Sequence, residues 1–126
     1  MNSSRSREAA ARFAERRKRE DEARRLAVEV PALATLRLVI EERRATVATA
    51  ESKHVRIVVV DRAPALFELP CGDPSCEGGG YDLTERILRE LRQNRTEFVV
   101  EDACYGTVGS TRCGRAVRAI VTAAYR

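Results

Sequence analysis

Residues 33–44, LATLRLVIEERR, alternate strictly. Leu36, Leu38 and Ile40 point one way and Arg37, Val39 and Glu41 the other, the two-residue period of a half-buried strand. HVRIVVVD, residues 54–61, is nearly continuous: Val55, Ile57 and Val59 share one face and Arg56, Val58 and Val60 the opposite one. A run apolar on both faces predicts a central strand. Arg62, Ala63 and Pro64 read as a turn, and ALFELP as a short strand returning beside it, so these two segments are expected to form a hairpin. Between the first two strands, ATVATAESK is small and polar, a loop or weak strand.

The period then changes. In DLTERILRELRQN, Leu83, Ile87, Leu88 and Leu91 make one helical stripe, Asp82 is placed to cap it with Glu85 completing a capping box, and Asn94 is a natural stop. TEFVVEDAC reads as a strand, YGTVGSTR as a loop, and CGRAVRAIVTAAYR as a last strand with Val117, Ala119, Val121, Ala123 and Tyr125 on one face. A short helix is the alternative for this alanine-rich end. At the other end, Ser4 to about Val28 is rich in Ala, Arg and Glu and predicts a helix ending before Pro31; Phe13, Leu26 and Val28 are its large apolar residues. The order helix, strand, hairpin, helix, hairpin predicts an α+β fold. One helix covers a small mixed or antiparallel sheet, with residues 1–30 a charged helical extension and 31–126 the domain.

A chain of 126 residues without Trp, with three Phe and three Tyr, must build its core from Val, Leu, Ile and Ala. Such a core is thin and gains from an internal clamp. Lys and Arg number 23 against 19 acids, a net charge of +4 that favours acidic partners such as RNA or a ribosomal surface, although mixed signs also mark an ordinary solvated surface. No apolar run suits a signal peptide, and no 18-residue apolar stretch occurs, so a cytoplasmic protein without a membrane partner is expected. In a reducing compartment cysteines serve as ligands or reactive thiols more than as disulfides.

That expectation bears on PCGDPSCEGGGYD, residues 70–82. Cys71 and Cys76 are spaced C-x4-C, Cys104 and Cys113 C-x8-C, and each pair lies at turns next to strands. Zinc takes four thiolates tetrahedrally and asks only that two such turns converge. Gly72 and Gly114, each directly after a cysteine, are expected to let backbone amides approach the sulfurs. A thiol switch or disulfide pair, an iron–sulfur cluster, and four partly buried cysteines with no joint role are the alternatives. The turns PCGDPSC and CYGTVGSTRCG, with a strand after the last cysteine, resemble those of zinc-ribbon and zinc-knuckle proteins, with longer spacings and an intervening helix. The resemblance implies that Cys71, Cys76, Cys104 and Cys113 are structural zinc ligands in a site closed to substrate.

Other chemistry is sparse. His54 is the sole histidine, and Asp73, Glu77, Glu101 and Asp102 read as solvated loop acids before they read as an acid–base pair. Gly78, Gly79 and Gly80 precede a helix but match no phosphate-binding fingerprint. The expectation is therefore a non-enzymatic binding module. Arg12, Arg16, Arg17, Lys18 and Arg19 on the first helix and Arg86, Arg89, Arg92, Arg112 and Arg115 in the domain would contact an RNA, ribosomal or DNA backbone. Scarce aromatics argue against base stacking. Two further readings stand beside it: an assembly module pairing through the N-terminal helix, and a thiol-based redox protein. The sequence names neither the partner nor the oligomeric state.

Overall fold

The computed structural model describes residues 3–126. Its centre is a four-stranded antiparallel sheet in the order β2-β1-β8-β5, built from β1 (Leu33–Arg44), β2 (Ser52–Val58), β5 (Glu97–Ala103) and β8 (Arg115–Tyr125). Two short ribbons accompany it: β3 (Glu68–Leu69) with β4 (Tyr81–Asp82), and β6 (Thr107–Val108) with β7 (Thr111–Arg112). The helices are α1 (Ser3–Glu22), α2 (Leu26–Glu29) and α3 (Thr84–Arg92). The predicted α+β class and antiparallel sheet are what the chain forms.

The inward face of the sheet follows from the alternation. Leu36, Leu38 and Ile40 of β1 and Val117, Ala119, Val121 and Ala123 of β8 are buried, and Leu36 pairs with Ala123 and Ile40 with Ala119. Each of these pairs sets a large residue beside a small one. Leu83, Ile87, Leu88 and Leu91 join that core, so the predicted stripe of α3 is the one that packs. Each fully buried Leu or Ile stabilises the fold by roughly 1.5–3 kcal/mol. Asn94 adopts φ 57°, the left-handed conformation that ends helices. Asp82 Oδ1 accepts from the Thr84 amide at 3.1 Å, but no side-chain bond caps the helix in the manner of the expected box with Glu85.

Three expectations are corrected. The run HVRIVVVD is not a central strand: β2 lies at the sheet edge, and Val55, Ile57 and Val59 are exposed. The long strand after the last cysteine, β8, takes the centre because it pairs with β1 and β5 along most of its length. The hairpin between HVRIVVVD and ALFELP does not form. Instead β2 pairs back on β1, the chain turns at Val59–Ala63, and β3 pairs with β4. Lastly, the N-terminal helix is not continuous to Val28: it breaks after Glu22 and resumes for one turn at Leu26–Glu29, before Pro31. Arg25 bridges to Pro64, and Leu26 and Val30 are buried, because these apolar side chains find the core only if the chain bends into it.

Candidate metal centre

The four cysteines converge at one end of the sheet. Cys71 follows β3 by two residues, Cys104 directly follows β5, and Cys113 sits between β7 and β8. The loop between Cys71 and Cys76 is shaped by Asp73, whose carboxylate accepts from the Ser75 amide at 2.8 Å while its carbonyl accepts from Cys76 at 3.0 Å. Glu77 and Thr107 exchange two backbone hydrogen bonds, of 2.8 and 3.1 Å, and so stitch the first cysteine loop to the second. The Cys104 amide bonds Arg115 and that of Cys113 bonds Gly106, which holds the second pair at the end of the β5–β8 ladder.

All four Sγ atoms lie within 4.8 Å of one another, and none is in a disulfide. The shortest pairs are Cys71–Cys113 at 3.7 Å and Cys76–Cys104 at 3.6 Å, each joining one loop to the other. Four sulfurs about 2.3 Å from a central tetrahedral ion would stand roughly 3.8 Å apart. The set therefore fits a metal ion, and Cys76, Cys104 and Cys113 are buried with Cys71 half-buried.

Electrostatics point the same way. Burial raises the Cys71 pKa despite the Asp73 amide, and burial together with the Cys104 thiol pushes Cys76 up to about 12. Cys104 goes the other way: burial opposes its ionisation, but amides of Gly106 and Gly80, donated at 3.4 and 3.3 Å, outweigh it and lower its pKa. The backbone thus favours ionisation at one of the four thiols, and a divalent cation among the sulfurs would supply the charge that ionises the others.

The amides that reach sulfur are those of Asp73, Gly80 and Gly106, which corrects the expectation for Gly72 and Gly114. Gly72 donates to Glu42 Oε2 at 2.9 Å, and the Gly114 carbonyl accepts from Ala45 at 2.7 Å. Gly79 and Gly106 have a different role. A Cβ on Gly79 would overlap Cys76 Sγ, and one on Gly106 would stand 2.5 Å from the same sulfur, so the two backbones close over the site where no side chain fits.

Behind the cysteines lies a polar cluster that sequence patterning did not single out. Glu42 occupies an inward position of β1 and is buried. Its Oε2 accepts from Gly72 and from the Tyr81 phenol at 2.7 Å, and its Oε1 faces Arg115 at 3.2 Å. Arg115 also reaches Glu51 at 2.7 Å, leaving its buried Nε without a partner. Although burial opposes it, these donors hold the Glu42 pKa below its ordinary value. The only signal in the sequence was Glu42's inward parity in a half-buried strand, which asks for a partner it could not name.

The predicted contact residues divide into two sets. Arg19 pairs with Glu68, Arg86 with Asp102, Arg92 with Glu29, and Arg115 with Glu42 and Glu51. Arg115 is taken up inside the fold. Among the described residues, Arg12, Arg16, Arg17, Lys18, Arg89 and Arg112 have no acidic partner, and Arg16 and Arg17 flank the exposed Phe13 ring at 5.9 and 6.0 Å. Arg12, Arg16 and Arg19 line a cleft of about 540 Å³ that also includes Gly78, Gly79 and Tyr105, next to the cysteine loops. Of the acids near the cysteines, Asp102 and Glu101 pair with Arg86 and Arg118 and Asp73 shapes its turn. His54 is an exposed residue of β2. No described helix is long and apolar enough to cross a membrane. Compared with family models, curated proteins and solved structures, the chain matches none.

Proposed function

We propose that this chain is a non-enzymatic binding module clamped by one zinc ion and directed to the backbone of an acidic partner, RNA above all. The observation that carries the clamp is the convergence of four cysteine sulfurs within 4.8 Å, two from each of two stitched loops. Zinc is favoured because four thiolates with tetrahedral spacing are its common structural set, and four cysteine ligands with the close approach of Gly79 and Gly106 support a structural reading of the site. The partner reading rests on the basic residues left unspent within the fold: Arg12, Arg16, Arg17 and Lys18 on one helix, with Arg89 and Arg112 on the domain. Arginine and lysine without internal partners release counterions when they meet phosphates, whereas paired ones contribute little.

Elemental analysis of the purified full chain should give one zinc per chain, without the visible absorbance of an iron–sulfur cluster. A single-stranded RNA oligonucleotide should bind with an affinity that falls steeply with salt, and neutralising Arg12, Arg16, Arg17 and Lys18 to Gln should flatten that slope. A chain without stoichiometric metal overturns the clamp, and RNA affinity that is absent or independent of salt overturns the partner.

A further inference from the structure

Among the described residues the second face of the sheet is largely open, with residues 45–48 beside Glu41 and Arg118 at one end, and it carries a self-complementary pattern. In most half-buried antiparallel sheets the outward residues are polar. Here Val39 pairs across the sheet with Val55 and with Ile120, and Ile120 pairs with Val99, so four branched apolar residues form one row over all four strands. Val55 and Val99, at opposite edges, are 50% and 53% exposed, and Ile57 and Val59, next along the chain from Val55, 76% and 61%. A contiguous apolar row on an open surface marks an interaction face.

The flanking row identifies the occupant. Glu41 pairs with Lys53 and with Arg118, and Arg118 with Glu101, so the signs across β2, β1, β8 and β5 run plus, minus, plus, minus. Such a row is antisymmetric about the line between β1 and β8. A second copy related by a two-fold axis along that line places β2 over the partner's β5 and β1 over the partner's β8. Lys53 then faces a glutamate, Glu41 faces an arginine, Val55 faces a valine and Val39 an isoleucine. The third row, Ile57, Arg37, Thr122 and Glu97, sets Ile57 beside Glu97 and Arg37 beside Thr122 in this arrangement, so it brings no like charges together and forms the polar rim of the contact. Turning the axis across the strands instead would set the two glutamates, Glu97 and Glu101, against each other in both copies. That arrangement also brings Glu41 to Arg37, but one like-charge contact offsets its one opposite-charge contact, whereas the axis along the strands gives two opposite-charge contacts in the Glu41 row and no like-charge one.

We infer that the chain forms a two-fold dimer through this open sheet face, a second copy covering the row Val55, Val39, Ile120 and Val99. Four strands about 4.8 Å apart and seven residues long present a footprint of roughly 20 by 23 Å. That is small beside the roughly 800 Å² each partner contributes to a standard stable interface, so the dimer is a reversible one with a dissociation constant on the order of micromolar.

The test uses the full, metal-retaining chain in sedimentation equilibrium from about 1 to about 200 μM, a range that brackets the expected constant. The average mass should rise with concentration from 14.1 kDa towards twice that value, and less so at high salt. Val55→Glu and Val99→Lys should each remain monomeric. Both positions are half exposed, so circular dichroism should show both variants folded. Mixed, they should associate again, because in the mixed dimer Glu meets Lys at one contact and Val meets Val at the other. Glu85→Gln, an exposed position of α3, should dimerise normally. A constant monomer mass, dimers that persist in either single variant, or a mixture that stays monomeric would each overturn the inference.

Discussion

The Tyr81 phenol donates a 2.7 Å hydrogen bond to Glu42 Oε2, so the end of β1 is tied to the strand that leads from the first cysteine loop into α3. Tyr81 is 1% exposed, and no water can replace the bond without entering the core. Tyr81→Phe keeps the ring and removes the donor. It should lower stability by about 1–2 kcal/mol, read from the urea midpoint with unchanged slope, and leave bound metal in place.

The pH dependence of that cluster has a definite sign. The Glu42 pKa lies below its ordinary 4.5 in the folded chain, so the stability contributed by its carboxylate is complete above that pH and lost as pH falls through the folded value. Glu42→Gln should therefore be destabilised most near neutrality and converge with the parent in acid. Urea midpoints of both proteins at matched pH measure the difference, in which acid release of metal is common to the two.

Gly79→Ala and Gly106→Ala test the cover over the sulfurs. Each adds a methyl group where Cys76 Sγ already stands, so the loops must shift to admit it. Metal affinity should fall by at least an order of magnitude in competition with a colorimetric chelator, since loop strain is drawn from binding. Gly114→Ala, with no atom within 4 Å of the added carbon, should bind metal as the parent does.

Arg115 and Arg89 should behave as opposites. Removing Arg115 leaves buried Glu42 without its cation, and Arg115→Ala should cost about 3 kcal/mol by thermal or urea unfolding. Arg89 is exposed and unpaired among the described residues. Arg89→Ala should change stability by less than about 0.5 kcal/mol while weakening RNA binding.

Removing the proposed metal should loosen one end of the molecule first. The Glu77–Thr107 bridge and the Cys104 and Cys113 amides depend on the convergence of the cysteine loops, whereas β1 and β8 are joined along eleven residues. After chelation, amide exchange should speed up at Glu77, Thr107 and Cys113 before Leu38 or Val121.

Much of this was legible in the chain. The alternation in β1 and β8, the stripe of α3 and its stop at Asn94 are consequences of local geometry, in which the residues that share a face are set by spacing alone. The four cysteines were legible as a group because each pair is placed at turns next to strands, where two turns can converge. What spacing does not contain is the neighbour. Val55 and Ile57 read as core because a strand's periodicity says which residues face together and not whether anything lies opposite; the fold puts β2 at the edge. Glu42 read as one more charge in EERR until β8 brought Arg115 beside it and β4 brought Tyr81. Gly79 and Gly106 became the cover of the site only when two loops met. The sequence by itself determined the faces of β1, β8 and α3 and the placement of four thiols at turns, through interactions between residues a few positions apart. Strand order, the buried carboxylate's partners and the open sheet face were decided by tertiary structure, because each depends on contacts between segments tens of residues apart that only the packed chain selects.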